Sequence, residues 1–323
     1  MVLQGIIREH RLVANSKLKN RKMKIKTLFI AIMLFWAIGN LNAQESQSQP
    51  ITLSALFEYP TVPEDIEDWT ERNNWLIENF WNNFNFKQKS VGQIQLNHAF
   101  KTWTVPMRFA SKDIVMKTTD KLLSKLSKNP TMLYQFTKSA EETLYSPKSE
   151  IWIDEVYVKF LEAITKNKKI DEIRKVRYKD QLNKLNNSLV GNTMPDFSYI
   201  DRNGETTEFK PTAGFCIIEF GHPDCTDCKI SKIHLESDVV IGRLINEGKI
   251  DMFYIIPDLD NEDWQNMVAD YPVNWKVGAS EDAEDIFDIR LSPTFYIIDS
   301  EKKIILKNAP VEEVIQTIQN LVE

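Results

Sequence analysis

Glycine, cysteine and histidine are scarce in this chain, and where they fall organises it. Of 323 residues, ten are glycine, three cysteine and four histidine. Between Gln44 and Val190 the only glycine is Gly92. Glycine serves tight turns and bulges, so this stretch lacks the punctuation of a β-rich domain and reads as helical. Glycines return from Gly191 onward, which predicts a loop-richer C-terminal half. Three cysteines exclude a fold stapled by several disulfides; they make one pair and one leftover. Long apolar runs are also missing. The one candidate, Leu28 to Ile38, is too short to span a bilayer with confidence.

That apolar run has its own meaning. Lys22, Lys24 and Lys26 precede it, and Leu41-Asn42-Ala43 follows before Gln44. A basic, then apolar, then small-residue order is the pattern of a secretory signal. Residues 1–43 are therefore read as a signal sequence with an extension before Met23, a more usual start than Met1. A retained N-terminal anchor is the alternative, because Leu41 fits a cleavage site imperfectly. Without residues 1–43 the chain has 32 basic and 45 acidic residues, a formal net charge of −13. That argues against nucleic acid or an anionic membrane as partner. The chain is long enough for two domains, and 42% hydrophobic with 27% charged residues is ordinary for globular protein.

From Glu64 to about Asn187 the apolar residues recur at helical spacing. Trp69, Leu76, Phe80 and Phe84 mark a first helix. Leu122, Leu123 and Leu126 mark another, and Met132, Leu133 and Phe136 a third beyond Asn129-Pro130. Ile151, Val156, Phe160, Leu161 and Ile164 follow Pro147. Ile170 to Leu189 reads as one amphipathic helix with Ile173, Val176, Leu182, Leu185 and Leu189 inward. Five or six helices are expected, their aromatic stripes as core and Lys166 to Lys184 as a solvated face. From Gly191 the pattern changes. Asp201-Arg202-Asn203-Gly204 is a turn between short strands. Phe215 to Phe220 is a buried parallel strand, followed by a helix to about Asn246. Asp251 to Ile256 is a strand, and helices follow near Asp263–Asp270 and Glu281–Phe287. Thr294–Ile298 and Lys303–Leu306 are closing strands, and Val311–Val322 is a terminal helix. Strands alternating with helices predict an α/β layered fold.

Covalent chemistry is legible in one place, Glu219-Phe220-Gly221-His222-Pro223-Asp224-Cys225-Thr226-Asp227-Cys228. Two thiols three residues apart at a helix start can close a disulfide across one turn. Unpaired N–H groups and the helix dipole favour a thiolate there. The same spacing serves zinc or copper, and His222 extends it to H-x-x-C-x-x-C. A closed zinc site needs four ligands, and His10, His98 and His234 are badly placed to help. Redox exchange is therefore preferred, with no metal and no cofactor. Cys216, inside an apolar strand, reads as a small apolar filler.

The order strand, Cys-x-x-Cys, helix, strand, helix and Ser292-Pro293-Thr294-Phe295 resembles the thioredoxin superfamily. Gly191 to Phe197 with Asp201–Gly204 is similar to the N-terminal hairpin of its extracytoplasmic TlpA/ResA-like branch. Tyr145-Ser146-Pro147-Lys148-Ser149 and Tyr157-x-x-Phe160-Leu161 give residues 50–189 a resemblance to a DUF5106-like domain of unknown function from Bacteroidetes. The resemblance implies an all-α domain over 50–189 and an α/β thioredoxin-like domain over 190–323. It implies Cys225 as nucleophile, Cys228 as resolving thiol, Pro293 as a cis-proline and Glu219 as a buried acid exchanging a proton with Cys228. Ser292 would offer its backbone to a bound peptide, and His222 would stand at the substrate side.

Three departures bear on chemistry. Asp224 replaces the usual aromatic before the first cysteine, Thr226-Asp227 replaces Gly-Pro, and Phe220-Gly221 replaces Phe-Trp. Carboxylates beside a thiolate disfavour it, which predicts a reductant-like couple. The expected activity is thiol–disulfide exchange outside the cytoplasm on protein or peptide thiols, served by a redox partner protein, without stable membrane insertion after signal cleavage. The alternative is a binding or assembly module with vestigial or metal-binding thiols. The helical region carries no cysteine and no catalytic constellation, so it is assigned to packing and partner selection.

Overall fold

Residues 54–222, 224–257 and 264–322 are described by the structure, a computed structural model. The expected signal segment and the polar stretch 44–50 lie outside the described residues. In the helical half, α1 (Trp69–Asn79), α2 (Gln93–Thr104), α3 (Lys112–Leu126), α4 (Pro130–Leu144), α5 (Asp154–Lys166) and α6 (Glu172–Asn186) pack around one core. A 3-10 turn, Val105–Phe109, joins α2 to α3. The starts follow side-chain chemistry: Asp68, Asn129 and Asp171 accept N–H groups from the first turns of α1, α4 and α6. Phe80, Trp81, Phe100, Trp103, Phe136 and Phe160 are buried together. Burying each large side chain is worth about 1.5–3 kcal/mol, so this half is held by its aromatics, as the periodicity predicts. Trp69 is the exception. It is 61% exposed and meets Phe109 edge-on.

Helix α6 corrects the sequence reading. Ile173 and Val176 face solvent, whereas Lys175 and Tyr178 are buried with Leu185. The inward face is partly polar. Tyr157 Oη donates to Gln181 at 2.6 Å, Gln181 donates to Glu141 at 2.9 Å, and Lys175 reaches back to Glu172 at 2.8 Å. An apolar count cannot find a face that buries tyrosine and the lysine stem. It also misreads the basic stretch at Lys175, which is not solvated.

The C-terminal half is one seven-stranded sheet in the order β2-β1-β5-β4-β3-β6-β7. Its strands are β1 (Ser198–Asp201), β2 (Thr206–Glu208), β3 (Phe215–Phe220), β4 (Ile250–Ile256), β5 (Lys276–Ala279), β6 (Thr294–Asp299) and β7 (Ile304–Lys307). The expected hairpin turns at Gly204, φ +79°. Strand β3 pairs parallel with β4 and antiparallel with β6. It is buried on both faces: Cys216, Ile218 and Phe220 join one core and Ile217 the other. Helices α7 (Thr226–Ser237), α8 (Val239–Asn246) and α11 (Val311–Val322) cover the Ile217 face. The short helices α9 (Trp264–Met267) and α10 (Ala283–Ile286) lie in the connections.

Two elements differ from expectation. The helix after the thiols breaks at Asp238, whose carboxylate caps α8 through Val240 and Ile241 N–H at 2.9 and 2.8 Å. Strand β5 lies in a stretch, between the helices expected near Asp263–Asp270 and Glu281–Phe287, where no element is expected. Glycine is required at Gly278 within it: a Cβ would lie 2.1 Å from the Ile200 carbonyl oxygen of neighbouring β1.

Candidate thiol site

Strand β3 ends at Phe220, and the chain reaches α7 within a few residues, so the thiols sit at the carboxyl end of a central strand. Cys225 and Cys228 are joined as a disulfide with Cα atoms 5.2 Å apart. Cys225 is the N-cap of α7, and the Cys228 N–H donates to its sulfur at 3.0 Å. A helix start thus offers the first sulfur a donor and the positive end of the dipole. Cys225 is half-buried and Cys228 buried. Asp224 and Asp227 flank them in solvent.

Across from the sulfurs stands Ser292, whose peptide bond to Pro293 is cis. Its carbonyl oxygen lies 3.3 Å from Cys225 Sγ and its hydroxyl 3.1 Å from Cys228 Sγ. His222 N–H donates to the same hydroxyl at 3.2 Å. Among the described residues the Ser292 N–H has no partner. The His222 ring is 3.9 Å from Glu284 on α10. His222, Cys225, Cys228, Ser292 and Pro293 are therefore gathered in one place from two distant stretches of sequence.

Glu219 lies under this site on the α7 face of β3 and is fully buried. Ser231 Oγ is 2.6 Å from its Oε1 and 2.9 Å from the Cys228 carbonyl oxygen. A hydroxyl has one proton. If Ser231 gives it to the carbonyl, the proton between Ser231 and Glu219 must come from the carboxyl. Burial acts the same way, pushing Glu219 up to about 8 against the opposing Ser231 hydrogen bond. Oε2 has no partner among the described residues, nor has the Tyr254 hydroxyl. Tyr254 is the register neighbour of Glu219 on β4. Its hydroxyl would lie 2.5 Å from a Cβ at position 221, which explains why glycine, not a bulky side chain, follows Phe220. Glu219, expected from the resemblance to be a buried acid, is buried here; Ser231 and Tyr254 beside it were not expected. Ser231 carries a faint signal, three residues beyond Cys228 on one helix; Tyr254 carries none.

Cys216 is free and buried, and burial pushes its thiol well up. Among the described residues no group of three or more His, Cys, Asp or Glu side chains is arranged to hold a metal, and no helix is long and apolar enough to cross a membrane.

The helical half has its match in a protein family: residues 37–188 fit a domain of unknown function, DUF5106. The crystal structure of a thioredoxin-like protein from Bacteroides caccae superposes with a TM-score of 0.71 at 22% identity, over 83% of this chain and 99% of that one. The C-terminal fold is thioredoxin-like. The thioredoxin domain of a thiol-disulfide oxidoreductase from Bacteroides vulgatus aligns at 18% identity, over 42% of this chain and 99% of that one, with a TM-score of 0.36. A thiol:disulfide interchange protein from Bacteroides sp. aligns at 18% identity, over 42% of this chain and 90% of that one, TM-score 0.37. No curated protein matches the chain.

Proposed function

We propose that this protein is an exported thiol–disulfide oxidoreductase whose working pair is Cys225 and Cys228. The observation that carries the reading is the pair itself, at a helix N-terminus and within 3.3 Å of Ser292. In the reducing direction, the Cys225 thiolate attacks one sulfur of a substrate disulfide. That S–S bond breaks, and the leaving thiolate takes a proton. Cys228, having lost its proton, then attacks Cys225 Sγ. The second substrate thiol leaves, and two electrons have passed from the dithiol to the substrate. A redox partner protein returns two electrons to the pair.

Glu219, Ser292 and His222 have supporting parts. Glu219, pushed up to about 8 by burial, is neutral in most molecules at pH 7, and its ionised fraction accepts the Cys228 proton before Cys228 attacks, with Ser231 beside Glu219 and the Cys228 carbonyl. The Ser292 N–H and C=O bind the backbone of a peptide substrate, and His222 stands at the rim. Asp224 and Asp227 disfavour the thiolate and so make the disulfide the better-held state, which favours a reducing role. Residues 50–189 select partners and residues 190–323 carry the exchange. Trapping tests this. Cys228→Ser cannot resolve, so a disulfide-bearing peptide is expected to remain attached to Cys225 and to be released by reductant. Absence of any adduct at Cys225, with the thiol shown to be reduced, counts against the reading.

A further inference from the structure

The segment from Asp288 to Ser292, which leads into the cis bond, belongs to no helix or strand. Among the described residues its N–H groups make one hydrogen bond, from Asp288 to Ser188 Oγ at 2.9 Å. Side chains hold the rest. Tyr296 Oη donates to the Asp288 carbonyl at 2.8 Å and Thr294 Oγ1 to the Leu291 carbonyl at 2.6 Å. The strongest tie is a buried ring of four charges. Arg290 Nη2 contacts Asp154 Oδ1 at 2.6 Å and Asp288 Oδ2 at 2.7 Å. Lys307 Nζ contacts Asp154 Oδ2 at 2.7 Å and also Asp288 Oδ2. The Arg290 guanidinium lies over the Tyr145 and Trp152 rings, 4.7 and 4.6 Å from their centroids.

Asp154, Tyr145, Trp152 and Ser188 come from the helical half; Asp288, Arg290 and Lys307 come from the sheet half. Asn187 adds a bond to the Ile286 carbonyl at 3.0 Å. Burial alone raises the Asp154 carboxyl, but Lys307 and Arg290 outweigh it and hold it below the usual carboxylate range. A buried ion ring adds little over apolar packing, yet losing one member leaves a charge stranded. Its use is therefore to fix geometry, and the geometry it fixes ends two residues later at Ser292.

The geometry points to the helical domain as a working part of the thiol site: Asp154, acting through Arg290 and Lys307, is a positioning residue that holds Ser292 against Cys225 and Cys228. This deepens the thiol-exchange reading and rests on it for its purpose. The Ser292 carbonyl oxygen faces Cys225 Sγ, where it accepts from a thiol and repels a thiolate. A loosened segment withdraws that oxygen and lets the thiolate form at lower pH.

The test uses the full chain. Asp154→Asn with Lys307→Met removes one charge of each sign and leaves Arg290 paired with Asp288. The rate of Cys225 alkylation by iodoacetamide is followed in reduced protein from pH 5 to 9, with mass spectrometry locating the adduct. The profile is expected to move toward lower pH, with alkylation at least about threefold faster at pH 7. Asp251→Asn with Lys276→Met removes a 2.8 Å pair at the opposite end of β4 and is expected to leave the profile in place. A clamp with only a structural role lowers the melting temperature and does not move the profile. A superimposable profile in a folded D154N/K307M protein overturns the proposal. If that protein does not fold, Trp152→Leu, which removes one of the two rings against the guanidinium, is read the same way. The readout needs only a reduced Cys225, so its failure is distinct from a failure of the pair to cycle.

Discussion

Glu219 shows how much one buried group can govern. In an unfolded chain its carboxyl titrates near the ordinary value of about 4.3. In the folded protein burial raises it to about 8. Between those values the native state binds a proton the unfolded state lacks, so this group lowers stability as pH rises through the window, with a slope approaching about 1.4 kcal/mol per pH unit. Glu219→Gln keeps a hydrogen-bonding group of the same shape beside Ser231 and removes the titration. Urea unfolding from pH 5 to 8 is therefore expected to show a shallower fall in the variant. An unchanged slope would mean that another group carries the proton. The resemblance singled out Glu219, six residues before Cys225, and its apolar neighbours on β3 suggested its burial. Its partners were not legible, because Ser231 and Tyr254 meet it only once α7 and β4 are laid beside β3.

Most elements were written in local pattern. The apolar run Phe215–Phe220, the turn at Gly204 and the terminal helix Val311–Val322 stand where periodicity and turn chemistry put them. The misreadings have a common cause, a residue whose role is set by a neighbour distant in sequence. Strand β5, where no element was expected, depends on Gly278 making room for β1. Lys175 and Tyr178 look exposed but belong to a polar layer under α6. Asp238 looks like one more residue in a long helix but ends α7 and starts α8 as a cap. Asp238→Ala removes both capping bonds and is expected to reduce stability by about 1 kcal/mol, read as a lower denaturation midpoint in urea. An unchanged midpoint would show that the turn between α7 and α8 is held by packing alone.

At the scale of the whole molecule, the two halves share more than a linker. Asn187 and Ser188 fasten the chain between α10 and the thiol-facing turn, and Asp154 completes a charge ring with Arg290 and Lys307. The sequence placed Tyr145 to Ser149 in a helical domain without chemistry of its own, and it offered no sign that the Tyr145 ring stacks on Arg290, two residues before Ser292. The C-terminal fold was legible because β3, the thiols and Ser292-Pro293 recur in a fixed order. The joining surface was not, because the partners that meet across it are 99 to 153 residues apart in sequence.

The central claim is that Cys225 and Cys228 form a reversible working disulfide. Titration of the protein from Gln44 onward against mixtures of reduced and oxidised glutathione, followed by alkylation and mass spectrometry, tests it most directly. A single two-electron transition is expected, in which Cys225 and Cys228 gain and lose protection together, while Cys216 stays a thiol and is alkylated only after denaturation. Failure of Cys225 and Cys228 to form an intramolecular disulfide at any glutathione ratio would contradict it.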